Sequence, residues 1–283
     1  MCLIAWAVAP ATATPLWVAA NRDEQWDRPT LPFQAWPLPD GTTVWSGRDV
    51  LAGGTWLAFG ARGRVAMLTN VRAWPPEPPR ARSRGALVTA WLAEDAPATW
   101  TAFARQHAAA EYNGCNLVLG DVLHGQWAWI TNRDPAHHQG ADAASDTPLE
   151  HVGGWWGRAL PPGRYALSNA ALDTPWPKVR RLKTALSTAL AAADHPSADD
   201  ALLRALQTHL PHPDARQHVE ASPFVHLPSR RYGTRSSLIA RWDRDGALTV
   251  AEWTYDSPIG PAAIESAVQR RISIDWWGMP TSS

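Results

Sequence analysis

The sequence predicts an α+β protein built in layers, and three observations support this class. Strand-like segments fill most of the first 70 residues, helix-like segments follow, and strands return after residue 230. Residues 2–8 are apolar throughout, which is typical of a strand covered on both faces. This order of strands, helices and strands differs from the regular alternation of a doubly wound sheet. With no internal repeat and no clear linker, residues 1–283 are predicted to form a single domain.

Most of the early strands can be placed by their apolar runs. Residues 2–8 and 15–20 form a predicted hairpin, and residues 42–70 hold three more strands separated by glycine and charged turns. We expect residues 29–39 and 74–83 to be irregular, because proline fixes φ and removes a hydrogen-bond donor. The second of these proline-rich stretches is interpreted as a loop or flap.

Helical periodicity follows, since Leu87, Val88, Trp91 and Leu92 recur on one helical face. Further helices are predicted at 98–110, at 177–193 with proline in the first turn, and at 197–209 with Ser197 as N-cap. Further strands are predicted at 116–122, 125–131 and 163–172, and a hairpin joins 234–242 to 247–255 through an Asp-Gly turn. The stretches 135–148 and 211–228 are expected to be irregular, with the histidines from His209 to His226 solvated.

The composition excludes several classes of function. Lys and Arg (26) balance Asp and Glu (26), so we expect no nucleic-acid partner. No apolar run approaches the roughly 18 residues of a membrane span, and the N-terminus lacks signal-peptide features. A soluble, cytoplasmic protein without stable membrane insertion is therefore expected. Two cysteines make neither a disulfide framework nor a metal site, and no cofactor or metal is predicted.

Familiar catalytic motifs are absent from the sequence, including the G-x-S-x-G elbow, the Walker A loop and H-E-x-x-H. His107 and Glu111 stand four residues apart on a predicted helix, as ordinary surface pairs do. Cys115 lies in an apolar strand and is interpreted as a core residue.

Cys2 is the residue whose position points to chemistry. If Met1 is removed, Cys2 carries a thiol and a free α-amino group with an ordinary pKa of about 7.7–8.0. That amine can accept the thiol proton, directly or through a water, so the nucleophile carries its own base. The alternative is a buried strand thiol with no chemical role.

Polar residues at the ends of apolar runs could support such a site by holding the thiolate, orienting the amine or stabilising an oxyanion. Each could instead have a purely structural role. Asparagine often turns the chain at strand ends, and an exposed Arg–Asp ion pair contributes little to stability. The candidates are Arg22, Asp23, Asn70, Asn169 and Arg235.

Several segments together resemble the NRDE family, whose members are similar to transport and Golgi organisation protein 2. They occur in the family's order between Cys2 and about Leu238 and read "MCLI", "NRDE", "GRDVLAGGTWLAFGARGRVAMLTNVR", "SRGALV", "YNGCNLVLGD", "YALSNAALDTPWPKV" and "YGTRSSL". The resemblance implies the four-layer αββα fold of the N-terminal nucleophile hydrolases.

More remotely, the pattern is similar to choloylglycine hydrolase and penicillin V acylase. That similarity implies Cys2 as nucleophile, Arg22 and Asp23 beside it, Asn169 as oxyanion donor and Arg235 as a late active-site arginine, with Asn70 a looser match to a second donor. Those acylases separate the early Arg and Asp by two residues, whereas here they are adjacent, so Asn21 could replace one of them.

The sequence is compatible with two functions. The first is a hydrolase that transfers the acyl group of a linear amide or thioester to Cys2 and then releases it to water. The second is a non-catalytic carrier or trafficking factor for an acyl, lipid or haem-like ligand, with some of the 18 tryptophans lining its pocket. The partner expected in either case is a small acyl-type substrate or hydrophobic ligand, and the oligomeric state is undetermined.

Overall fold

The structure is a computed structural model that describes residues 2–9, 11–71, 78, 80, 82–137, 147–193, 195, 197–255 and 260–275. Met1 and most of the predicted flap at 74–83 lie outside this set. The strands are β1 (Cys2–Val8), β2 (Leu16–Gln25), β3 (Thr30–Pro37), β4 (Thr43–Asp49), β5 (Leu57–Gly60), β6 (Arg64–Asn70), β7 (Cys115–Asp121), β8 (Gln126–Thr131), β9 (Glu150–Val152), β10 (Trp155–Ala159), β11 (Gly163–Leu167), β12 (His226–Leu227), β13 (Tyr232–Trp242), β14 (Ala247–Thr254) and β15 (Val268–Asp275). The helices are α1 (Gly85–Leu92), α2 (Trp100–Gln106), α3 (Pro177–Ala191), α4 (Ala198–Leu206) and α5 (Ala215–Ala221).

The chain divides into two compact units. Unit 1 comprises Met1–Arg28, Pro162–Ser168 and Leu172–Asp275, and unit 2 comprises Pro29–Pro161, Asn169–Ala171 and Trp276–Ser283. The single domain over residues 1–283 stays a prediction.

Unit 1 is an antiparallel sheet in the order β11-β1-β2-β13-β14-β15, with β12 paired to β13. One face of the sheet packs on α3 and α4. Leu182, Leu186 and Leu202 from the helices meet Ala5 on β1 and Ala19 on β2 in one buried cluster. The proline at the first position of α3 has the fixed φ that a helix start needs, as the sequence predicts.

Unit 2 is a second antiparallel sheet, in the order β3-β4-β5-β6-β7-β8-β10-β9, with α1 and α2. Its helix–sheet cluster includes Leu87, Val88, Trp91 and Leu92, all at most 3% exposed, as their helical period predicts. Thr99 caps α2 by accepting a hydrogen bond from the Ala102 amide at 3.2 Å.

The predicted α+β class is therefore confirmed, and two sheets and two helix groups are present as a four-layer αββα fold requires. The hairpin between β13 and β14 is also confirmed, with Trp242 opposite Leu248. Gly246 adopts φ 100° in its turn, a conformation that favours glycine.

The expectation that residues 29–39 are irregular is wrong, because they contain β3. This strand lies at the edge of its sheet and, among the described strands, pairs only with β4. An edge strand needs ladder hydrogen bonds on one side only, so it tolerates Pro32 and Pro37. Strands β9, β10 and β15 were not predicted, and the helix expected at 98–110 ends at Gln106.

The expectation for residues 211–228 is also wrong, because this stretch contains α5. Asp214 caps the helix by accepting from the Gln217 amide at 2.8 Å. The histidines are not uniformly solvated, since His218 is 2% exposed. Its ring bonds Leu210 O at 2.9 Å and accepts from the His226 amide at 3.1 Å, which ties α5 to the start of β12.

None of the helices in the described part of the chain combines the length and apolar character needed to cross a bilayer.

Candidate active site

Cys2 begins β1 and is buried, with 7% of its surface exposed. Its Cα pairs with that of Arg22 on β2. Its carbonyl oxygen accepts a hydrogen bond from Ser168 Oγ at 2.9 Å, just after β11. Strand pairing and the serine bond hold Cys2 in the sheet, which explains its burial.

Strand alternation assigns different faces to Arg22 and Asp23. Leu3 and Ala19 belong to the cluster with α3 and α4, and side chains alternate along a strand. Asp23 therefore lies on the helix-covered face, whereas Arg22 shares the opposite face with Cys2. Because the two residues are adjacent, they cannot both present their side chains beside the thiol.

Asp23 is 1% exposed and accepts two hydrogen bonds from side chains of β13. Thr234 Oγ1 on β13 donates to Asp23 Oδ1 at 2.7 Å, and Tyr232 Oη donates to the Asp23 carbonyl at 2.8 Å. Burial raises the pKa of Asp23, while the Lys178 ammonium and the Thr234 hydroxyl act to lower it. The carboxyl is thus fixed in position with its charge partly compensated.

Lys178 is a site residue that sequence reasoning missed. It is the second residue of α3, is fully buried, and its Nζ lies 5.8 Å from the ring centroid of Trp176. The sequence spacing could have identified this residue, because Lys178 stands four residues before Leu182 and eight before Leu186 on the apolar stripe of α3. A lysine on that stripe is buried, and a buried ammonium needs compensation such as Asp23 provides.

The Cys2 thiol has a raised pKa, first of all because of burial. The Asp23 charge raises it further, whereas the Arg22 guanidinium and the Asp23 backbone N–H lower it. At neutral pH the thiol is therefore protonated, and a nucleophilic role requires a base that removes its proton.

Arg235 lies in a β-bulge of β13, where the register with β2 shifts between Thr234 and Ser236. Bulges often redirect a side chain. One guanidinium nitrogen of Arg235 donates to the carbonyls of Gln25 at 3.0 Å and Trp26 at 2.6 Å. The arginine thus holds the chain that follows β2, and its active-site role stays a prediction.

Asn21 is committed to a structural network. Its Nδ2 donates to the carbonyls of Leu206 at 2.8 Å and Pro223 at 2.9 Å, and its Oδ1 accepts from Ser237 Oγ at 2.6 Å. Ser237 Oγ in turn accepts from Tyr255 Oη at 2.7 Å. These contacts connect β2 with the end of α4, so Asn21 is an anchor on the helix face.

Asn70 and Asn169 both belong to unit 2. Asn70 is the last residue of β6, and its carbonyl accepts from Asn169 Nδ2 at 2.8 Å. Asn116, which the sequence did not single out, donates to Ala170 O at 2.8 Å and accepts from Trp129 Nε1 at 3.2 Å. The bonds from Asn169 to Asn70 and from Asn116 to Ala170 tie residues 169–170 to the sheet. The oxyanion role of Asn70 and Asn169 stays a prediction.

Cys115 is the core residue that its strand pattern predicts. It is fully buried, and burial raises its pKa to about 12. Both cysteines carry free thiols. Across the described residues, no group of three or more His, Cys, Asp or Glu side chains is arranged to hold a metal ion.

Two solved structures show a distant likeness to this chain. One is a Caenorhabditis elegans N-acylethanolamine-hydrolyzing acid amidase ortholog, with TM-score 0.45 and 11% identity, covering 84% of this chain and 92% of the other. The second is the C2A mutant of a conjugated bile acid hydrolase from Clostridium perfringens, with TM-score 0.48 and 8% identity, covering 97% and 92%.

The relatives by sequence are closer. The Homo sapiens Transport and Golgi organization protein 2 homolog is 31% identical over 278 residues, covering 89% of this chain and 92% of the relative. The Mus musculus homolog is 29% identical over 273 residues with the same coverage. The family model for Transport and Golgi organisation 2 matches residues 1–257. The resemblance read from the sequence is confirmed, and the chain belongs to the Transport and Golgi organisation 2 family.

Proposed function

We propose that this protein is a hydrolase of the N-terminal nucleophile type that cleaves a linear amide or thioester through Cys2. The observation that carries the proposal is the environment of the thiol, with Arg22 opposite it and the Asp23 backbone N–H acting on it. Both act to favour the thiolate, against the larger effect of burial, which keeps the thiol protonated until a base acts.

The proposed reaction begins once Met1 is removed and Cys2 carries a free α-amino group. The sulfur attacks the substrate carbonyl carbon while the amine accepts the thiol proton. The C–N or C–S bond then breaks, the amine returns the proton to the leaving group, and the acyl group remains on Cys2 as a thioester. Water, activated by the same amine, releases a carboxylic acid and restores the thiol.

The raised thiol pKa supports this use of the amine. A pre-formed thiolate is disfavoured in a buried position, so a base that acts during the attack contributes more than a permanent ion pair would. Asp23, held by Thr234 and compensated by Lys178, has the position and charge to orient an ammonium at the start of β1. We place the reaction in the cytoplasm, in keeping with two free thiols.

Intact-mass spectrometry tests the proposal directly. The purified protein is first examined for loss of Met1, then incubated with short-chain and long-chain activated acyl esters. Wild type and Cys115→Ser are expected to gain one acyl group, and Cys2→Ala none. Retention of Met1, or equal labelling of wild type and Cys2→Ala, would overturn the mechanism.

A pocket in unit 2 favours the carrier as the second candidate function. It encloses about 420 Å³ and is lined by Trp91, Trp100 and Trp127 together with Leu119 and Leu160. Indole and leucine surfaces suit an apolar ligand. This candidate rests on unit 2 alone and does not involve Cys2.

Binding of an apolar fluorescent probe distinguishes the carrier. Trp100→Ala should weaken binding, whereas Trp156→Ala, which alters a tryptophan that packs at a tilt against His151, should not. Binding that is equal in wild type and Trp100→Ala would rule out this pocket as the carrier site.

A further inference from the structure

A groove between α3 and α4 concentrates positive charge on the helical layer of unit 1. It has a volume of about 630 Å³ and is lined by Arg180, Arg181 and Thr184 on α3, by Arg204 on α4 and by Thr208 just after α4. Helical spacing explains the arrangement, because residues three or four apart share a face of a helix. The two helices therefore present three arginines and one threonine to one space, and Thr208 adds a second threonine just after α4.

The positive charge of this groove has no carboxylate partner among the described residues. None of the described lining residues is Asp or Glu, and the three arginines make no side-chain hydrogen bond or ion pair with the rest of the described chain. Elsewhere in the same unit basic side chains are paired, as Lys183 is with Asp173 and Arg241 with Asp199. The chain as a whole has a net charge of zero, so this cluster is a local excess.

We propose that the groove binds a small molecule through a phosphoryl group. Guanidinium forks match the oxygens of phosphate and form short, charge-assisted hydrogen bonds with it. Thr184 Oγ1 can supply a further donor, while Ala185 and Ala201 give an apolar surface for the rest of the molecule. The volume lies within the range of small-molecule sites.

The alternative is that the arginines are solvated surface residues that serve only solubility. Two observations together disfavour it. The three arginines line one concave space, and the lining carries hydroxyl and methyl groups as well as charge. An anion in the groove would pair with the guanidiniums, and the rest of the molecule would meet the hydroxyl and methyl groups.

Isothermal titration with inorganic pyrophosphate at fixed ionic strength tests the proposal. Wild type should bind, and Arg181→Ala and Arg204→Ala should each weaken binding about tenfold, the loss of one charge-assisted contact. The exposed Arg105 on α2 also has no side-chain partner among the described residues, so Arg105→Ala is the matched control and should bind as wild type does. Arg181→Lys should bind more weakly than wild type, since lysine lacks the fork.

Two results would overturn the proposal. One is the absence of pyrophosphate binding by wild type, and the other is equal weakening in Arg105→Ala and Arg204→Ala. Vesicles containing phosphatidic acid form a separate arm. Binding to the vesicles without binding to pyrophosphate would point to a membrane surface and would also overturn the small-molecule site. None of these outcomes depends on the reactivity of Cys2, so this proposal and the hydrolase proposal fail independently.

Discussion

Cys2 and Arg22 lie directly opposite each other on β1 and β2, on the face of the sheet that α3 and α4 do not cover. Asp23, the next residue, lies on the helix-covered face, where the charge of Lys178 acts to lower the pKa of its carboxyl against the effect of burial. The two adjacent residues of β2 therefore affect the Cys2 thiol in different ways. Arg22 acts from the face of the sheet that it shares with the thiol. Asp23 acts through its backbone N–H and through a carboxyl fixed by Thr234.

The pairing of Asp23 with Lys178 predicts a coupling in stability. Asp23→Asn should lower the free energy of unfolding by about 3 kcal/mol, because it leaves a buried ammonium without its carboxylate. Adding Lys178→Met to that variant should cost less than Lys178→Met costs in wild type, with a coupling of about 1–3 kcal/mol. Urea denaturation of the four proteins measures both values.

Lys183 is the matched control for this cycle. It lies on the same helix and pairs with Asp173 at 2.8 Å, but its side chain is 36% exposed. Lys183→Met should change stability by less than about 1 kcal/mol, as partly exposed pairs do. Additive effects of Asp23→Asn and Lys178→Met would show that the two side chains do not interact.

Asp23 should also leave a signature in the pH dependence of stability. Its pKa in the folded protein is raised above the ordinary value of 3.8, so the folded state binds more protons than the unfolded state in the window above pH 3.8. Stability contributed by this group therefore falls as pH rises from 3.8 through the folded pKa. The stability difference between wild type and Asp23→Asn should decrease across that window. A difference that grows with pH would mean that the folded pKa is lowered instead.

Asn21 predicts a large loss of stability without a direct effect on chemistry. Asn21→Ala removes three buried hydrogen bonds and leaves the Leu206 and Pro223 carbonyls without this donor. We expect a loss of about 3 kcal/mol or more in the free energy of unfolding. Gln207 donates to the same network at 3.2 Å but is only partly buried, so Gln207→Ala should cost about 1 kcal/mol or less. Equal losses would contradict the anchor role.

The sequence predicted the parts of this fold that local periodicity controls. The apolar run of β1, the stripe of α1 and the Asp-Gly turn before β14 each depend on neighbouring residues, and each was placed correctly. Strand β3 was missed because its prolines are tolerated only through its edge position, which depends on pairing with β4. Pairing is a property of the folded sheet and leaves little trace in a short segment.

The candidate site was likewise predicted only in part from the sequence. Arg22 and Asp23 were identified from their motif, but their separation onto two faces follows from strand alternation and could have been predicted once β2 was extended to Gln25. The contacts that fix Asp23 and Asn21 join residues about 200 positions apart in the chain. No spacing rule predicts such contacts, because they are set by the packing of β2 against β13 and of the sheet against α4.

The two thiols should differ in reactivity, and their pH dependence is the most direct check on the environment of Cys2. Burial raises the pKa of Cys2 above 9.0 and that of Cys115 to about 12. With Met1 retained, alkylation of Cys2 by iodoacetamide should be slow at neutral pH and should accelerate as the pH rises past 9, because the thiolate is the reactive form. Cys115, fully buried, should stay unmodified until the protein unfolds.

Once Met1 is removed, the new α-amine should shift the pH profile of Cys2 alkylation toward lower pH, and Arg22→Met should shift it back toward higher pH. Peptide mapping of wild type and Cys115→Ser at each pH separates the two sites. A Cys2 profile identical before and after Met1 removal would show that the amine does not act as the base.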